Sequence, residues 1–471
     1  MRYAQDSRGR LHGSDDLDIT SLFRRVHVAF HRVGAALAFR RARVAVASHP
    51  AHVAFHRVGV AVGVLVLFTL VSPATAAQWQ GTEVEKDGTL HVMNPATPVV
   101  EPKVIKPEKL WQVGGDEDGD VLFGVLTKIT SDDEGNIYLL DSQLNQVMIF
   151  SSGGEYLRAI GREGEGPGEF RRAADLFLTG GGDVAVMQRM PGKIVVLTPD
   201  GDPVGNYPVP EYDGMRMFSG GRRAGSDIIL GVQRFKRKET GFESEFELIR
   251  VDHQGRQTAT YHSRSASRDF ANMVVDEKTL GGAALVWTTD DEGRVYTSDN
   301  FDAYTISVWN ADGTVERVIE REYQSRHRSA EEMKRNRPHL MIRRGNRTQR
   351  PDSKVSETDR DIQQLYPRED GTLWVLSSRG AFDAPEGTIA TFDVFDHEGK
   401  FVSEVSLLGD GSYVDDGFHV VGNRLYVVKG LSSAQRARFG GSDDDEEEEI
   451  EDAEPMSVVC YDLSPIVHTK K

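Results

Sequence analysis

Residues 131–170, SDDEGNIYLLDSQLNQVMIFSSGGEYLRAIGREGEGPGEF, constrain the fold most, because they read as a complete unit of antiparallel β-structure. Asp132 to Gly135 make a turn, and Asn136–Leu140 alternate into a strand. Asp141–Gln146 turn again, Val147–Phe150 form a second strand, Ser152–Gly154 turn, and Tyr156–Ile160 form a third. Glycine and Asx residues supply the turn geometry; β-branched and aromatic residues supply the strands. Weaker copies follow, and repetition of one such unit decides the architecture.

Each copy has a polar turn followed by an apolar strand, and an Asp-Gly-type hairpin joins its last two strands. The copies lie at 131–160, about 175–209, about 217–262, 285–320 and about 363–408. The later four carry hairpins at Asp200-Gly201, Gln254-Gly255, Asp312-Gly313 and Glu398-Gly399. A sixth, with GNRLYVV at 422–428 and SVVCYDL at 457–463, ends without an outer strand. An early strand at Leu110–Val113 has no unit of its own. Closing the chain into a ring solves both problems and removes exposed edges. The expected fold is therefore all-β, a six-bladed β-propeller of four-stranded blades over 110–471, its last blade completed by an N-terminal strand. Forty-seven glycines suit so many tight turns.

Ahead of the ring, Gln78–Lys109 is polar and punctuated by Pro95, Pro98, Pro102 and Pro107, and reads as an extended lead-in. Two inserts interrupt the ring. Glu322–Gln363 is strongly basic, and its Ser-Ala-Glu-Glu at Ser329 is a helix-start signal. Ser442–Glu454, SDDDEEEEIEDAE, is a self-repelling acidic block expected to be disordered.

Gly59–Val71 is an uncharged apolar run, preceded by His56-Arg57 and followed by Ser72-Pro73-Ala74-Thr75-Ala76-Ala77. Those are the three parts of a secretory signal peptide, here 53–77. The run is short for a membrane span, which needs ~20 residues. The expectation is export to the periplasm or beyond, with membrane contact only if the segment stays uncleaved. Residues 1–52 are Arg- and His-rich and repeat HVAFHRVG at His27–Gly34 and His52–Gly59. Two readings stand: a functional extension, or a mis-set start with translation beginning near Val53. The second is preferred. The net charge of −17 argues against general nucleic-acid binding. The lone Cys460 excludes an intrachain disulfide and a Cys-based zinc site.

The first unit resembles an NHL repeat. The matching residues are Asp133, Gly135, Asn136 and Tyr138, then Asp141, Val147 and Phe150, then Gly161, Gly164 and the Gly166-Pro167-Gly168-Glu169-Phe170 linker. The fourth unit repeats the first part with Asp291, Gly293, Tyr296, Asp299, Val308 and Asp312-Gly313. In its placement of signal, linker and insert the chain is similar to secreted bacterial six-bladed propellers. The resemblance implies a fold and a compartment. Some relatives it implies are enzymes: amidating lyases with histidine-bound metal, and lactonase-like hydrolases with Glu/Asn/Asp-bound metal.

The chain's own residues point less to chemistry. The glycines of 161–170 lie between strands with Pro167 among them, so a blade linker explains them better than a phosphate loop. The acidic turns at 132–134 and 290–292 lack calcium-loop spacing. Asp141 and Asp299 are expected to accept hydrogen bonds from turn amides. The histidines after the signal, His91, His253, His262, His327, His339, His397, His419 and His468, make no clear three-histidine set. Trp287, Trp309, Trp374 and Tyr296 read as packing residues, and Cys460 as a buried structural thiol. No catalytic residue, metal or cofactor is assigned. The leading expectation is a binding scaffold for a protein, peptide or glycan, with Arg326, Arg328, Arg335, Arg343, Arg344 and Arg347 of the basic insert as candidate ligand contacts. The alternative is a metal-dependent propeller enzyme with its site at the central channel.

Overall fold

The computed structural model describes residues 78–464, except 116–120, 270–273, 280–284, 338–341, 345–346, 350 and 440–454. The N-terminal extension, the signal segment and the acidic insert lie outside the described residues. Six antiparallel sheets follow one another along the chain, each running from an inner strand to an outer one. Blade one uses Leu126–Ser131, Ile137–Asp141, Gln146–Phe150 and Tyr156–Ile160. Blade two spans Ala173–Leu178 to Pro203–Asn206, and blade three Met215–Ala224 to Gln257–Asp269. Blades four and five span Val286–Thr289 to Val315–Arg321 and Ile362–Pro367 to Phe401–Leu408. Blade six has Gly417–Val421, Arg424–Lys429 and Ser457–Asp462, and its outer place is filled by Glu108–Gly114.

The turns form for local reasons. Asp132 accepts from the amides of Glu134 and Asn136, and Gly135 takes a positive φ of 82° that a side chain would resist. Asp290 organises the matching turn of blade four through the Arg294 amide. Asp141 is fully buried and accepts from the amides of Gly124, Val125, Gln143 and Leu144. Asp299 departs from that expectation: it is exposed, 3.7 Å from His262.

The core lies between blades. Tyr138, Leu140 and Val147 of blade one pack against Leu176, Val186 and Val195 of blade two. Five further clusters repeat this around the ring, and the last joins Tyr426, Val428 and Val458 of blade six to Leu126, Ile137 and Phe150 of blade one. A second strand such as Ile137–Asp141 is therefore buried on both faces, with IYLLD wholly inside. Each such aliphatic side chain contributes about 1.5–3 kcal/mol relative to exposure.

The lead-in is more structured than its prolines suggest. Thr89–Asn94, itself paired with Thr82–Lys86, adds in parallel to the outer strand of blade four. Lys103–Ile105 then adds in parallel to the outer strand of blade five. The segment thus crosses the edges of two successive blades before entering the ring as the outer strand of the next. Asn94 pins the first crossing: its side chain donates to the carbonyls of Glu320 and Gly399 and accepts from Trp79 Nε1 and the Phe401 amide. No helix of the described residues is long and apolar enough to cross a membrane.

Candidate functional site

The inner strands surround a cavity of about 840 Å³ at the channel mouth, and all six blades line it. These strands are half-polar, and four of them share an irregularity. The register slips between Leu126 and Lys128, Ala173 and Asp175, Phe218 and Gly220, and Ile362 and Gln364. A bulge re-aims the residue that follows it. In blades one and two those residues are Lys128 and Asp175.

They meet with Arg222 of blade three. Asp175 accepts from Arg222 Nη1 at 2.6 Å and from the amides of Leu176 at 2.9 Å and Gly221 at 3.1 Å. Lys128 Nζ lies 3.5 Å from its other oxygen. The Arg222 guanidinium stands 5.4 Å from the ring of Trp287 in blade four. Gly220 makes room for this: a Cβ there would come within 3.1 Å of Trp287 and 3.4 Å of Asp175.

The electrostatics follow from one carboxylate serving two cations. Burial pushes the Asp175 carboxyl up, but Arg222 and Lys128 outweigh it and hold it at about 2. Burial, reinforced by Arg222, brings the Lys128 ammonium down to about 8 despite Asp175. Burial and the same two cations hold the His419 imidazole of blade six at about 3, so it is neutral. Among the described residues no three His, Cys, Asp or Glu side chains come together as a metal would need.

The candidate arginines of the insert lie elsewhere. Arg326 donates to Asp383 at 2.6 Å, Asp359 at 2.6 Å and Glu332 at 2.7 Å, with every guanidinium nitrogen engaged. Arg328 donates to Asp359 at 2.6 Å and grips Glu277 through two nitrogens at 2.8 and 2.9 Å. Both brace the insert, to itself through Asp359 and Glu332 and to its surroundings through Asp383 and Glu277. Arg335 is exposed in the last turn of the helix Ala330–Arg335, which Ser329 and Glu332 cap reciprocally as its start signal predicts. Arg343, Arg344 and Arg347 fall in the hairpin Ile342–Arg344 and Arg347–Gln349, whose side chains lie outside the described residues. The glycine linker folds on its own acid: Glu169 accepts from the Gly166 amide and from Arg162. His253 and His397 are exposed, and Cys460 is buried.

Sequence reasoning missed Lys128, Asp175 and Arg222, and it placed Trp287 and His419 in other roles. A usable signal existed. Lys128 and Asp175 both precede the end of their inner strands by the same number of residues, so counting backward from each turn aligns them.

The ring and its lined mouth define a six-bladed β-propeller. Residues 118–343 match the sequence model of DUF5128, a 6-bladed beta-propeller. No curated protein matches the chain at a significant level. Among solved structures, a member of the DUF4221 family from Bacteroides vulgatus is 11% identical with a TM-score of 0.42, covering 76% of this chain and 97% of that one. The calcium-binding protein regucalcin from Agrobacterium tumefaciens is 11% identical with a TM-score of 0.40, covering 76% of this chain and 94% of that one. A catalytically inactive virginiamycin B lyase from Staphylococcus aureus with quinupristin is 10% identical with a TM-score of 0.37, covering 74% and 99%.

Proposed function

We propose that this chain is an exported, NHL-type propeller that acts as a binding scaffold and seats its ligand at the channel mouth. One observation carries the reading. The cavity draws on all six blades, and Lys128 and Arg222 stand in its wall. A concave site with a few placed polar groups is the usual form of a ligand pocket. The signal-like segment ahead of Gln78 supports export. Arg335, Arg343, Arg344 and Arg347 are proposed as additional contacts for a large ligand reaching the insert.

The test uses purified protein and a peptide-and-glycan digest of extracytoplasmic material. Thr288→Trp and Val420→Trp each put an indole into the mouth. Compounds retained by the wild type and lost from both variants are expected; identical retention by all three proteins would refute the location. N-terminal sequencing of the secreted protein is expected to begin near Ala77 or Gln78, and an intact Met1 would refute cleavage.

A further inference from the structure

We propose that the mouth is a carboxylate site, in which Lys128 and Arg222 together hold one carboxylate group. The inference rests on the binding role of the mouth and names the chemistry it recognises.

The charges in the wall do not balance. Lys128 and Arg222 both line the cavity, whereas Asp175, their shared partner, is not among its lining residues. The Asp175 side chain is 9% exposed, against 17% for Lys128 and 30% for Arg222. The acid stands behind the two bases, which leaves one positive charge facing open space. His419 is neutral and adds none. Donors are free as well. Among the described residues Arg222 uses only Nη1, which reaches Asp175 and the Gly221 carbonyl. Its Nε and Nη2 remain for a ligand, and Trp287 supports the guanidinium plane. An arginine fork held this way suits a planar carboxylate.

The rim sets the limit on the ligand's charge. Asp133, Asp291, Glu292 and Glu369 also line the cavity and are exposed on the turns that follow the inner strands, where they outnumber the exposed Arg223 of the same lining. At ~3.3 Å per residue, Lys128 lies roughly 10 Å along the strand from its turn. An acidic collar above a basic floor repels polyanions and admits a molecule with one buried carboxylate and a neutral or cationic outer part. A free small acid and a peptide C-terminus share that chemistry.

Isothermal titration of the full protein tests it with four probes: N-acetyl-Ala-Ala, its C-terminal amide, N-acetylalanine and inorganic phosphate. N-acetyl-Ala-Ala is expected to bind one-to-one and roughly tenfold or more tighter than the amide. Arg222→Met and Lys128→Met should each weaken the acid by roughly tenfold and leave the amide unchanged. Lys128→Arg keeps the cation and should retain binding, and a cooperative melt for each variant separates lost recognition from lost folding. N-acetylalanine matching the dipeptide identifies a free acid as the source; a much tighter dipeptide identifies a peptide end. Equal binding of acid and amide, both lost in Thr288→Trp, would overturn carboxylate recognition while keeping the mouth as a site. No binding of N-acetyl-Ala-Ala, or phosphate binding more tightly than it, also overturns the proposal. If no probe binds and the Trp variants retain ligands unchanged, the binding role of the mouth fails with it.

Discussion

Replacing Asp175 with Asn keeps its shape and removes the charge that holds Lys128 and Arg222 together. Removing one partner of a buried ion pair costs about 3–5 kcal/mol. Two features reduce that figure here. Arg222 is 30% exposed, so channel water screens it in part. Lys128 already titrates at about 8, so it can shed its proton. From there, neutralising it at pH 7 costs only about 1.4 kcal/mol per pH unit. The amides of Leu176 and Gly221 keep an acceptor only in part, because the Asn side chain offers one oxygen. The net expectation is a loss of about 2–4 kcal/mol. Unfolding entropy of about 2.1 cal/mol/K per residue over roughly 390 residues converts this to a Tm drop of about 2–5 °C. Urea unfolding followed by tryptophan fluorescence measures it, provided the transition is two-state. Adding Lys128→Met to the Asn variant should recover about 1 kcal/mol, since the unpaired cation is then gone. A variant within about 0.5 kcal/mol of wild type would refute the reasoning, as would Lys128→Met destabilising both backgrounds equally.

The titration of Lys128 has its own signature. Its folded value of about 8 lies below the ordinary 10.5, so between those limits the unfolded chain holds the proton and the folded one does not. Relative to Lys128→Met, wild-type stability should therefore rise as pH increases from about 8 to 10.5, and a flat difference refutes it. Asn94→Ala leaves the Phe401 amide and the Glu320 and Gly399 carbonyls short of partners, and should cost about 2–4 kcal/mol in urea unfolding. A cost below about 0.5 kcal/mol would mean the lead-in is not anchored there. Burial pushes the Cys460 thiol up to about 11, so a thiol reagent should label it only after denaturation. Rapid labelling of the native protein would contradict its burial.

The ring was legible because antiparallel hairpins leave a local record: an Asp-Gly turn, alternating strands and a fixed order. Even closure could be read, since SVVCYDL lacked a neighbour and LWQV lacked a blade. The lead-in was harder. Pro95 follows Asn94, Pro102 precedes Lys103 and Pro107 precedes Glu108, so the prolines sit between the crossings and disguise three short strands as one coil. The channel cluster was hardest, because Lys128, Asp175 and Arg222 meet only after three blades stand side by side. The insert misled for the opposite reason. Its arginines stand out as a charge block, yet the acids that satisfy Arg328, Glu277 and Asp359, flank the block on either side.

The strap across blades four, five and six also sets an order of events. Strands within residues 89–114 pair with strands that end at Arg321, Leu408 and Asp462. The earliest of these segments in the chain must wait for the last one to be made. Joining such distant segments is entropically slow, and until then the partners offer unpaired edges to other chains. A chain truncated before Ser457 is expected to aggregate or be degraded although most of its blades are complete. Soluble, protease-resistant truncations would show that the ring matures blade by blade without its clasp.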